Sequence, residues 1–158
     1  MYKLLTKLLP ASFAPLLLGL ATAAVGDSQS LLLGAWNCKG EVQRPEGSYR
    51  VNAVVQLAEA SALISQGELF VFSPWLGSEI PMSFKATGTW ELKEQTLHGK
   101  LTEGNIATGN AFTDQLADIL EQQIQASPNF RAEITQLNQR SLTFKPEQTN
   151  PVTCLRAS

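Results

Sequence analysis

The sequence predicts a mainly β domain of mostly antiparallel strands carrying one amphipathic helix. Two observations lead there. From Met82 the chain alternates Met82, Phe84, Ala86, Gly88, Trp90 and Leu92 with Ser83, Lys85, Thr87, Thr89, Glu91 and Lys93, the period of a strand with one buried and one wet face. Against that background a single segment, "NAFTDQLADILEQQIQASP", switches to helical spacing.

Taken in order, residues 1–26 read as a secretory signal. Lys3 and Lys7 supply a positive start, the apolar run from Leu8 to Leu20 is interrupted by Pro10, Ser12 and Pro15, and "ATAAVG" offers small residues for cleavage between Ala23 and Gly26. The run is short for a bilayer, which asks for about 20 apolar residues. No cysteine follows it to take a lipid, so the alternative is a retained N-terminal anchor. Residues 27–158 then form one domain, expected to be periplasmic or secreted and without stable membrane insertion.

The first strand is expected over residues 35–43. Pro45-Glu46-Gly47 signals a turn, after which Tyr49, Val51, Ala53, Val55 and Leu57 alternate with Arg50, Asn52, Val54 and Gln56, polar but for Val54. A strand over 62–73 ends in the continuously apolar Leu69-Phe70-Val71-Phe72. This run reads as a strand buried on both faces, between the sheet interior and the helix. Trp75, flanked by Pro74 and Leu76-Gly77, reads as a loop residue. After a turn at Glu94-Gln95, Leu97, Gly99 and Leu101 alternate with His98, Lys100 and Thr102. The helix, about 112–126, sets Phe112, Leu116, Ile119, Leu120 and Ile124 on one face. Asp114 and Asp118 lie toward its N-terminal end, where the helix dipole favours them, and Ser127-Pro128 stops it. Further strands are expected over 130–137, 141–146 and 151–156.

Cys38 and Cys154 are the only cysteines. In an exported chain an isolated pair is most simply a disulfide, and the competing reading, two ligands of a metal site, lacks partners in the sequence. If the first and last strands are neighbours, that bridge staples the sheet where its ends meet. Gly34 then permits a tight start to the first strand. Trp36 shares the Cys38 face, and Arg156, two residues beyond Cys154, is placed to lay its guanidinium over the indole.

The chain resembles the lipocalin-like (calycin) group, whose first strand opens with Gly-x-Trp, here Gly34-Ala35-Trp36. It is especially similar to small exported bacterial domains of that kind, through Trp36-Asn37-Cys38, Gly88-Thr89-Trp90 and the terminal Cys154. The resemblance implies an antiparallel calycin-like barrel of about seven to eight strands, with the helix placed before the last of them. Gly34, Trp36 and Arg156 would then be its closure residues.

The chemistry-bearing residues are sparse. His98 is the only histidine, it falls on the wet face, and no serine or cysteine nucleophile accompanies it. No phosphate-cradling glycine loop and no metal-ligand spacing appears, so neither enzyme activity nor a cofactor is expected. Residues 1–26 hold Lys3 and Lys7 and no acid. Without them ten basic and fourteen acidic side chains remain, a net charge of −4 that argues against nucleic-acid partners. The expected function is therefore non-catalytic binding. One form is a carrier of a small apolar or amphipathic ligand, contacted by Phe70, Phe72, Trp75, Leu76, Phe84 and Trp90. The other is a protein-binding module, an envelope assembly factor or an inhibitor of a secreted enzyme, that acts through loops such as the one around Trp75.

Overall fold

The alternating strands close on themselves. The structure, a computed structural model, describes residues 23–44, 47–74, 77–109, 111–147 and 149–158. A helix, α1 (Ala23–Leu32), leads into β1 (Gly34–Arg44), β2 (Gly47–Leu57), β3 (Ala62–Ser73), β4 (Ser78–Lys93) and β5 (Thr96–Ala107). A second helix, α2 (Ala111–Ala126), precedes β6 (Asn129–Leu137), β7 (Ser141–Pro146) and β8 (Val152–Arg156). Each strand pairs antiparallel with its sequence neighbours and β8 returns to β1, giving a closed eight-stranded barrel. No helix among the described residues is long and apolar enough to cross a membrane.

The alternation read from the sequence sets the inside of the barrel. In β4, Ile80, Met82, Ala86 and Trp90 are buried while Glu79, Ser83, Lys85 and Glu91 face out. The strand starts earlier than its sequence pattern, at Ser78, and so includes Pro81. That residue pairs only with β3, because the pairing to β5 begins at Ser83, and a proline lacking an N–H is tolerated where one side of the strand has no partner.

β5 is longer than its expected 96–102. The register against β4 slips between Thr87 and Gly88, which are opposite Glu103 and Leu101, so Thr102 is an extra residue. The bulge exchanges the two faces: Leu97, Gly99 and Leu101 point inward before it, Gly104 and Ile106 after it.

β5 pairs with β6 only from Thr96 to Lys100. Beyond that point its edge is covered by α2, whose Glu121 carboxylate accepts the Ile106 N–H. A helix side chain thus occupies the place of a neighbouring strand's carbonyl. Leu116, Ala117, Leu120 and Ile124 form the apolar face of α2. Ile119, expected on that face, is 45% exposed, and the buried Thr113 takes a place on it.

The interior divides into two clusters. Leu32, Trp36, Leu57, Leu63, Trp90, Leu97 and Leu142 pack around the two cysteines near α1, and Val71, Ile80, Met82, Ile106 and Ala117 form a second group beside α2.

Candidate functional site

One end of the barrel is sealed. Gly34 turns the chain from α1 into β1 with φ +117°, a left-handed conformation that favours glycine. Leu32, the last residue of α1, is thereby set over the interior and is fully buried, a burial that contributes about 1.5–3 kcal/mol. Trp36 is fully buried beneath it, and its indole N–H donates to the Leu32 carbonyl at 2.8 Å.

Arg156 lies directly opposite Trp36 on β8, with its guanidinium carbon 3.9 Å from the centre of an indole ring. Its donors reach the Leu33 and Leu31 carbonyls at the C-terminus of α1 and the Gln139 carbonyl in the turn between β6 and β7. A positive group is thus placed where the helix leaves its carbonyls unpaired. A methyl at Gly34 would come within 2.7 Å of an Arg156 terminal nitrogen, so this glycine is fixed by space as well as by backbone. Two pairs further along the same ladder, Cys38 and Cys154 are disulfide-bonded.

The other end is built differently. The largest side chains that are fully buried, Trp36, Leu32, Leu57 and Cys154, all belong to the α1 half. Around the second cluster Tyr49, Leu69 and Phe84 from the strands, with Leu116, Leu120 and Ile124 from α2, remain only partly buried. Partly buried apolar side chains also surround the first cluster, among them Val55, Phe130, Ile134 and Phe144, so the two ends differ in the Leu32 cap and in where the largest fully buried side chains sit.

The residues expected to contact a ligand separate accordingly. Phe84 points inward into the second cluster. Trp90 is 3% exposed, lies in the sealed half and donates its indole N–H to the Ala58 carbonyl at 3.2 Å, so it is core. Phe70 and Phe72 point outward, because Leu63, Leu69 and Val71 take the inward phase of β3. The expectation that both faces of this strand are buried, one against the helix, is corrected: α2 packs on β5, and Phe72 is 38% exposed. Trp75 and Leu76 lie outside the described residues.

The outer face holds a feature that the alternating pattern alone did not single out. Arg50 pairs with Phe70 across β2 and β3, sits 4.6 Å from its ring centre, and forms an ion pair with Glu79 at 2.9 Å. Only the opposite charges at 50 and 79 signalled it in the sequence. Toward the other end of β4, Lys93 binds Glu91 at 2.6 Å, and this hydrogen bond is the main cause holding the Glu91 carboxyl below its ordinary pKa.

No protein-family model matches this chain, and no curated protein matches it either. The fold and the site geometry therefore carry the functional reading.

Proposed function

We propose that this protein is an exported, non-catalytic, lipocalin-like binding protein that takes a small apolar or amphipathic ligand at the barrel end remote from α1. The observation that carries the reading is the asymmetry of the interior. The α1 end is capped by Leu32 and holds the largest fully buried side chains, whereas the cluster around Tyr49, Leu69 and Phe84 holds none of them. Ligand sites of this kind are concave and mostly apolar, with a few polar groups that orient the guest. The Tyr49 phenol is such a group. The periplasmic or secreted location rests on the N-terminal segment and on the Cys38–Cys154 bridge, a bond that persists in oxidising compartments.

Native mass spectrometry of the chain purified from its own host tests the carrier reading. A small molecule retained on the folded protein and released on unfolding is expected, and Phe84→Glu should lose it while keeping the fold. No retained mass, together with no saturable uptake of an apolar fluorophore, would overturn it. N-terminal sequencing of the exported form should find a start between residues 24 and 27.

The second reading, a protein-binding module, is favoured by Phe72, which is 38% exposed next to the Arg50–Glu79 pair. A co-purifying protein that is lost on Phe72→Ser, with no small molecule retained, would select it.

A further inference from the structure

We infer that the outer face of β4, β5 and β6 carries an anion-binding groove, separate from the interior and independent of the carrier reading. A depression of about 410 Å³ lies there. Its floor is set by the strand register. His98 lies opposite Glu91 on one side and Arg131 on the other, and Lys100 lies opposite Thr89 and Asn129. All of these side chains share the outward phase. Directly opposed residues have Cβ atoms about 4.5–5.5 Å apart and diagonal ones lie roughly 7–8 Å apart, so the Lys100 and Arg131 side chains can converge on one oxyanion above His98.

Three observations make this more than a solvated strand face. First, the charges are sorted. Glu91, which also lines the groove, is held by Lys93 at 2.6 Å, while the Arg131 pairing to Glu147 is long, at 3.9 Å, and is the more readily exchanged for a ligand. Secondly, beside the apolar Trp90, Gly99 and Phe130, the neutral lining supplies three groups that bind oxygen-rich molecules: Ser61, Thr89 and Asn129. Thirdly, the rim is formed by a strained loop. Ala60 and Ser61, neither of them glycine, adopt φ +58° and +64° in the turn between β2 and β3, and Trp90 ties that turn down by donating to Ala58. Strain of this kind persists only where the surroundings over-determine it, and it clusters at binding sites. The ligand that fits is a small polar molecule with a carboxylate, its oxyanion between Lys100 and Arg131 and its hydroxyls toward Ser61 and Asn129. An acidic sugar is the simplest member of that class.

The test follows the His98 ring protons by NMR during titration with glucuronate, at ionic strength held constant with chloride. A saturable shift is expected, weakened at least tenfold in Lys100→Ala and in Arg131→Ala. Both variants should keep the disulfide and the wild-type melting temperature within a few degrees. Glucose should produce no saturable shift. Inorganic phosphate in place of glucuronate tests whether the hydroxyls matter, and it should bind more weakly. A non-saturating shift, an unchanged response in the two variants, or equal binding of glucose or phosphate would each overturn the inference. An apolar fluorophore bound inside the barrel should not compete, which separates this outcome from that of the carrier reading.

Discussion

The Arg156 guanidinium lies 3.9 Å from the centre of an indole ring of Trp36, directly across the seam where the last strand meets the first. The contact is more than a stack. The same arginine donates to Leu31 and Leu33 at the end of α1 and to Gln139 in a distant turn, so one side chain ties four segments together. Arg156→Ala should cost about 2–4 kcal/mol, from lost charge-assisted hydrogen bonds and the carbonyls left without donors. Arg156→Lys should recover little, because an ammonium cannot reproduce the planar fork. Trp36→Ala should cost about 3–5 kcal/mol. Urea unfolding of the double variant should show less than the sum of the two, and strict additivity would show that the pair is uncoupled.

Gly34→Ala meets two obstacles, the left-handed backbone and the Arg156 nitrogen. A loss of about 1–3 kcal/mol is expected. In the Arg156→Ala background the steric share should vanish, leaving the backbone share alone. An equal loss in both backgrounds would show that space at this position is irrelevant.

Ala60 offers the opposite sign. Its φ of +58° costs an L-residue roughly 1–2 kcal/mol, partly offset for glycine by the greater freedom of the unfolded chain. Ala60→Gly should therefore stabilise by about 0.5–1 kcal/mol and raise the melting temperature by roughly 2–4 °C. A lower melting temperature would contradict the left-handed turn.

Glu121 separates a carbonyl-like acceptor from a charge. Glu121→Gln keeps an oxygen for the Ile106 N–H and should be nearly neutral, whereas Glu121→Ala leaves that N–H unpaired at a cost of about 1–3 kcal/mol. Hydrogen exchange at Ile106 should accelerate in the alanine variant only. Acceleration in both would assign the bond's worth to charge.

Replacing both Cys38 and Cys154 by alanine should cost on the order of 2–5 kcal/mol. With both cysteines at most 4% exposed, the bridge in the folded protein should resist reductants that open it readily in denaturant. Equal reduction rates in the two conditions would show that the barrel does not shield it.

Much of this was legible in the sequence. The strand faces of β2 and β4 and the range of α2 followed from periodicity, and the grouping of Gly34, Trp36, Cys38, Cys154 and Arg156 followed from spacing once the first and last strands are neighbours, as the calycin resemblance implies. Three things were not legible, each for a physical reason. The outer phase of Phe70 and Phe72 is invisible in a run that is apolar at every position, since such a run fixes no face. The second half of β5 was hidden by the Thr102 bulge, which reverses the alternation within one strand. Leu32 as a plug could not be read at all, because its role depends on where Gly34 turns the chain rather than on any pattern around it.

The pairing of β1 with β8 also sets the order of events when the protein is made. Residues 38 and 154 are separated by 116 positions, so the first thiol must wait while nearly the whole domain is synthesised before its partner exists. At about 5–20 residues per second that delay is on the order of ten seconds. Until the final strand arrives, β1 has one neighbour and an open flank, with a reactive sulfur on it. The unclosed chain is therefore most exposed to mispairing, through strand exchange with another copy or, once exported, intermolecular disulfides, at its beginning rather than at its end. Closing the seam ends both hazards in a single step.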